Sequence, residues 1–341
     1  MKKTPRIKLY IVLFALAFLI VPFCGCAKKN ASVSVNDGSI KVKNDEIVVE
    51  VLINKKDSVK DETNENPELY TDEEQPIDNE EAVDEDEELT AELREEIEFD
   101  TSWLYADYSE IHSGNAVLYR SPVDRRNIVI GVNAGHGTDG GTSVKTFCHP
   151  DKSPKVTGGS TAEGSIKATA VSSGMTFLDG TKEESVTLRE AQILRDMLIQ
   201  RGYDVLMVRD DTDVQLDNVA RTVLCNNIAD CHIALHWDGD NLDYDKGCFY
   251  ISVPDGIKYM EPVASTWKRS EELGEAVISG LRDNECKICN NGSMDIDLTQ
   301  TSYSTVPSID LELGNVASNH DDPTLAKLAE GICNGIERYN F

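Results

Sequence analysis

Residues 202–236 read GYDVLMVRDDTDVQLDNVARTVLCNNIADCHIALH. Two apolar runs, DVLMVR at 204–209 and CHIALH at 231–236, have the length and character of buried strands. Between them Leu216, Val219, Ala220 and Val223 recur at helical spacing. A strand, a helix and a second strand of this length form a crossover unit, which joins parallel strands. The same rhythm continues upstream. IVIGVN at 128–133 reads as a strand, and Leu188, Ala191, Leu194, Met197 and Leu198 mark a helix stopped by Gly202. Downstream come a strand at 247–253, a helix near 265–281, a strand at 307–313 and a closing helix near 324–339. Strands alternating with helices predict an α/β fold, a largely parallel twisted sheet with helices on both faces.

In such sheets functional residues collect at the carboxyl ends of strands. Four candidates stand there. His136 follows the first strand in NAGHG, Glu183 precedes the first helix, His236 ends the third strand, and Glu312 lies at the end of the last in DLELG. Two histidines and a carboxylate make an open zinc site with its fourth position left for water. A further carboxylate beside that water is the general base that metal-assisted hydrolysis needs. Taken singly, each has a blander role: a lone histidine after a strand is commonly a hydrogen-bonded structural residue, and a glutamate before a helix favours the helix dipole. The functional reading rests on all four converging on one edge of one sheet.

The motifs that carry these residues resemble a known family, the zinc-dependent N-acetylmuramoyl-L-alanine amidases whose opening strand ends in Gly-His-Gly. IVIGVNAGHG resembles the opening strand and first ligand, and KEESVTL at 182–188 the segment of the second. Residues 202–236 resemble the strand, Arg-Asp loop, Arg-containing helix and third ligand, and PSIDLELGNVASN the segment of the catalytic glutamate. The resemblance runs in order from 128 to about 337. It implies the phosphorylase/hydrolase-like amidase fold, zinc on His136, Glu183 and His236, and Glu312 as catalytic base, with Glu184 the alternative to Glu183. It also implies a substrate, peptidoglycan, and a bond, that between N-acetylmuramic acid and L-alanine of the stem peptide. Two departures stand out. About 46 residues separate His136 from Glu183, so 138–180 is an insertion, either a lid or groove wall shaping access to the glycan or passive decoration. Asp238 occupies a position where the family often has asparagine. His149 lies inside the insertion, and His112, His232 and His320 have no partner motif and read as structural or surface residues.

The N-terminal part has a different character. Lys2, Lys3, Arg6 and Lys8 precede an apolar run from Leu9 to Phe23, shorter than a membrane span of about 20 residues. The run meets Phe23-Cys24-Gly25-Cys26, which resembles a bacterial lipoprotein cleavage box, although Cys24 stands where Ala or Ser is usual. Residues 1–26 are therefore read as a lipoprotein signal, with Cys26 acylated and the chain anchored to a membrane in the cell envelope. Between Asp57 and Asp100 stand 21 acidic residues against only Lys60 and Arg94, most of the formal net charge of −28. Residues 27–100 read as an acidic tether, apart from an alternating stretch at 31–56 that suits a hairpin. A coil of about 70 residues spans roughly 45–50 Å, enough reach to carry a domain into a cell wall. Residues 101–341 form the expected catalytic domain, a monomer. Clustered lysine and arginine are lacking, which argues against a nucleic-acid partner. Of the nine cysteines, Cys225, Cys231, Cys248 and Cys333 lie in apolar segments and read as buried thiols. Cys286 and Cys289 form a CxxC with no second pair, which suits a local disulfide or two free thiols. The competing readings are a non-catalytic wall-binding lipoprotein on the same scaffold and a zinc peptidase or amidase acting on another amide.

Overall fold

The structure is a computed structural model. It describes residues 93–341, together with the backbone of three strands between 32 and 52. Those three strands, β1 (Ser32–Asn36), β2 (Ser39–Asn44) and β3 (Ile47–Leu52), form an antiparallel meander. The alternation that suggests a hairpin extends back through SVSVN, which adds the third strand. The signal, Cys26 and most of the acidic tether lie outside the described residues.

The folded domain is built on one eight-stranded sheet. Its strands are β4 (Arg94–Ile97), β5 (Ala116–Tyr119), β6 (Val129–Ala134), β9 (Asp204–Met207), β10 (Cys231–Asp238), β11 (Cys248–Ser252), β12 (Ile288–Asp295) and β13 (Ser308–Asn315). A separate two-stranded pair consists of β7 (Lys145–Phe147) and β8 (Lys167–Thr169). The spatial order is β12-β11-β13-β10-β6-β9-β5-β4. The central four strands, β13, β10, β6 and β9, are mutually parallel. Toward the edges, β11 runs antiparallel to β13, and β5 and β4 continue antiparallel beyond β9. The sheet thus takes in Arg94–Ile97, a segment whose charge places it with the tether. Pairing across β5 gives its backbone partners that an isolated acidic coil lacks.

Five helices cover the sheet: α1 (Glu183–Gln200), α2 (Asn218–Ile228), α3 (Val263–Asp283), α4 (Thr299–Tyr303) and α5 (Asp322–Ile336). The expected fold is borne out. On β10, Cys231, Ile233, Leu235 and Trp237 pack into one core with Leu194 and Leu198 of α1, Leu273 and Val277 of α3, and Leu325 and Ile332 of α5. A second core on the opposite face joins Leu206 to Leu216, Ala220 and Leu224 at α2. Strand side chains alternate between faces, so the even-numbered residues of β10 and β13, His236 and Glu312 among them, point away from the first core. Removing a wholly buried leucine such as Leu194 or Leu235 costs about 2–5 kcal/mol. Asp217 caps α2 by accepting from Ala220 N at 2.8 Å, and its other oxygen accepts from the backbone of Glu110 and Ile111.

The chain leaves β6 toward β9 on one side and leaves β10 toward β11 and β13 on the other. The two strands therefore flank the point where the winding reverses, the usual place for a site in an open α/β sheet.

The insertion at 138–180 is bolted to the domain by one buried carboxylate. Asp297, wholly buried, accepts from His149 Nε2 at 2.9 Å and from Val156 N at 2.8 Å, with Lys155 Nζ 3.7 Å away. Burial acts to raise the Asp297 pKa, but His149, the Val156 amide and Lys155 outweigh it and hold the carboxyl below its ordinary value of 3.8. His149 is thus a structural residue. Two expectations follow. Asp297→Ala leaves His149 buried without its acceptor and Lys155, which still donates to the backbone carbonyl of 297, without its counter-charge, and lowers stability by about 3 kcal/mol in urea unfolding. A depressed carboxylate contributes stability above its unfolded value and loses it as pH falls through the lower folded value. Limited proteolysis in acid below about pH 4 therefore cuts 145–169 before the rest of the domain.

Candidate metal centre

The turn after β6 carries His136 in a left-handed conformation (φ 65°), followed by Gly137 at φ 66°. Two buried guanidinium groups hold this turn from beneath. Arg221 of α2 donates to Ala134 O at 3.0 Å, His136 O at 2.6 Å, Asn133 Oδ1 at 3.1 Å and Thr138 Oγ1 at 2.9 Å. Arg209, just past β9, donates to Ala134 O, Gly135 O and Glu184 O at 3.2, 3.0 and 2.8 Å. Burial lowers the pKa of Arg209 to about 10, and burial reinforced by Arg209 lowers that of Arg221 to about 9. Both remain cations at neutral pH.

His136 is thereby set against Glu183, the first residue of α1, and His236 of β10. His136 Nε2 lies 2.8 Å from Glu183 Oε1 and 3.0 Å from His236 Nδ1, which is 3.2 Å from the same carboxylate oxygen. Among the described residues this is the one group of three whose donor atoms all lie within 4.8 Å of one another. Glu184 points elsewhere and pairs with Lys182. The fit to an ion can be judged from the edges of the triangle. Zinc with N and O ligands at about 2.0–2.2 Å needs donors about 3.3 Å apart, close to the separations present. Nearby side chains press in: a Cβ on Gly135 would meet His236 Cε1 at 2.2 Å, and one on Gly174 would meet His136 Cδ2 at 2.7 Å.

The insertion completes the wall. Ser172 O accepts from His136 Nδ1 at 2.8 Å, which leaves Nε2 with its lone pair toward the centre. Met175 N donates to Glu183 Oε2 at 2.8 Å, and Trp237 N to Oε1 at 3.0 Å. Segment 172–175 therefore builds the site and is not decoration.

Glu312 pairs in register with His236 on the adjacent parallel strand and presents its side chain on the same face. It is half-buried, and its Oε2 has no hydrogen-bond partner. Asp310, two residues earlier and also on that face, places Oδ2 3.8 Å from His236 Nε2 while its Oδ1 has no partner. Sequence reasoning missed Asp310, although counting back two from Glu312 along the strand would have found it. The result is a surplus of negative charge around two imidazoles. Burial lowers the His236 pKa, but Asp310, Glu183 and Glu312 more than offset this and raise it to about 10. Burial acts to raise the Glu183 pKa too, yet the two imidazoles pull it well below the usual range. Burial, with Asp310, pushes Glu312 well up. The donor set, two imidazoles among three carboxylates, suits a divalent cation.

The other histidines are elsewhere. His232 is wholly buried against Asn133, with its pKa lowered to about 3 by burial and Arg221. His112 stacks on Phe99, and His320 pairs with Asp179 at 3.2 Å. Cys148, Cys225, Cys231, Cys248 and Cys333 are buried free thiols, and Cys286 and Cys289 are unpaired. Among the described residues no helix is long and apolar enough to cross a membrane.

An α/β domain that gathers imidazoles and carboxylates at the carboxyl ends of parallel strands is a hydrolase scaffold with a candidate metal centre. Residues 130–338 match the family model described as Amidase_3, N-acetylmuramoyl-L-alanine amidase, and the chain belongs to that family. It is accordingly an amidase of peptidoglycan. Among solved structures the fold is similar to Ami1, an N-acetylmuramyl-L-alanine amidase from Mycobacterium smegmatis, at 16% identity and TM-score 0.53 over 62% of this chain and 96% of that one. The apo form of Ami1 from Mycobacterium abscessus is similar at 18% identity and TM-score 0.51, over 62% and 98%. No curated protein matches the sequence.

The guanidinium brace makes a sharp prediction. Arg221→Met leaves several buried acceptors without donors, at about 1–3 kcal/mol each before relaxation. Urea unfolding is expected to show a loss of about 3 kcal/mol or more.

Proposed function

We propose that the chain hydrolyses the amide between N-acetylmuramic acid and L-alanine of the stem peptide, with zinc held by His136, Glu183 and His236. The convergence of these three donors beside Glu312, at the switch point of the sheet, carries the reading. A zinc ion held by these three residues would supply Lewis-acid chemistry, activating a water and polarising the scissile carbonyl. The chain's own residues supply the rest. His136 turns Nε2 and His236 turns Nδ1 toward the centre, and Glu183 is fixed by two backbone amides so that its carboxylate cannot rotate away. Glu312, with an unpartnered oxygen on the same face, accepts the proton of the attacking water and returns it to the leaving amine.

The N-terminal sequence supports the setting. A lipid on Cys26 and an acidic tether place the domain outside the cytoplasm, within reach of the wall. Family membership agrees with that compartment, since peptidoglycan lies there.

The test is release of peptides beginning in L-alanine from purified peptidoglycan, with zinc content measured alongside. Roughly one zinc per chain and L-alanine termini are expected. Glu312→Gln is expected to keep the zinc and to lose at least about 100-fold in rate. New termini other than L-alanine would move the reaction to a different amide. No zinc in the active enzyme would overturn the ligand set.

A further inference from the structure

Asp310 is a second carboxylate beside the centre, and neither the family match nor the four-residue motif assigns it a role. Its position is unusual for a strand residue in the middle of a sheet. It lies on β13 between Ile309 and Leu311, both in the first core, and its own side chain turns to the opposite face. There it is nearly buried (9% exposed), and its Oδ1 has no hydrogen-bond partner. A carboxylate so placed costs free energy that an apolar residue would avoid, unless something nearby needs it. His236 Nε2 lies 3.8 Å from Oδ2.

The two candidate histidine ligands turn different nitrogens inward. His136 uses Nε2 and has its Nδ1 proton taken by Ser172 O. His236 uses Nδ1, the atom facing His136 Nε2 and Glu183 Oε1. For that nitrogen to offer a lone pair, the proton of the neutral ring must sit on Nε2. Backbone carbonyls and carboxylates are the usual acceptors for the outer N–H of a ligating imidazole. His136 has the carbonyl. For His236 the carboxylate in reach is Asp310, at a separation somewhat longer than a hydrogen bond, which a small side-chain rotation closes.

Resting on the ligand set proposed above, we infer that Asp310 is a positioning residue: it accepts the Nε2–H of His236 and so holds that ring with Nδ1 directed at the ion. It acts through His236 and touches neither ion nor substrate. Its carboxylate also adds negative charge behind the ligand, which strengthens the imidazole as a donor.

The test uses the full chain and two variants. Asp310→Leu removes charge and acceptor, whereas Asp310→Asn keeps an acceptor oxygen and loses the charge. Metal-free protein is titrated with zinc against a chromophoric chelator, and metal-free stability is measured in urea. Cobalt spectra report ligand geometry. The expected order of zinc affinity is parent, then Asn, then Leu, with Leu about 10–100-fold weaker than parent. Metal-free Leu is expected to be at least as stable as the parent, since an unpartnered buried carboxylate has gone. Affinity and stability moving in opposite directions marks a positioning role that general damage to the fold would not reproduce. A shifted cobalt spectrum in Leu, restored toward the parent in Asn, agrees with it. Leu affinity within about threefold of the parent would overturn the inference, as would parallel losses of affinity and metal-free stability. A parent that binds no zinc would overturn the ligand set itself, an outcome separate from a parent that binds well and variants that match it.

Discussion

Everything at the centre hangs on the burial of two guanidinium groups beneath one turn. A buried cation with no carboxylate hydrogen-bonded to it is tolerated only when its N–H groups are met by oxygen, and here backbone carbonyls do most of that work. The arrangement works in both directions. The carbonyls of 134–136 would point into a protein interior without the arginines, and the arginines would be stranded without the carbonyls. The outcome is a turn with one permitted shape, which carries His136 in a left-handed conformation that a free loop rarely keeps. Arg221 comes from α2 and Arg209 from the end of β9, so the elements on one side of the sheet jointly fix the turn above its carboxyl edge.

Much of this was legible in the chain. The central strands β6, β9, β10 and β13 announce themselves as apolar runs because both their faces are covered, and the intervening helices by their spacing. His136, Glu183 and His236 were legible through strand and helix boundaries, and the phase of α1 sets Glu183 beside the two histidines while Glu184 lies near Lys182. The parts that escaped share a physical trait: their identity depends on distant partners. REEI at 94–97 reads as tether until β5 supplies a ladder for it. ICNNGSMD at 288–295 is a mostly open edge strand with no apolar face to betray it. Asp310 looks like any acidic residue until the register of β13 against β10 sets it opposite Ala234, on the same face as His236 and Glu312. The insertion is the clearest case, since a Gly- and Ser-rich stretch gives no sign that Ser172 O and Met175 N will meet ligand side chains.

Charge at the centre is deliberately one-sided. Glu183, Asp310 and Glu312 surround two imidazoles on a face where water has limited access. Two positively charged arginines lie close behind, yet their N–H groups are spent on carbonyls and do not neutralise the carboxylates directly. This separation keeps the carboxylates free for chemistry while a modest positive field remains beneath them.

Ser172 O and Met175 N join the insertion to two of the three donor side chains of the centre. At its other end the same segment is held by His149 and Val156 on Asp297, a residue from beyond it. The aim of His136 and Glu183 is therefore set in part by a stretch between the first central strand and the first helix whose two ends are fixed by different parts of the domain.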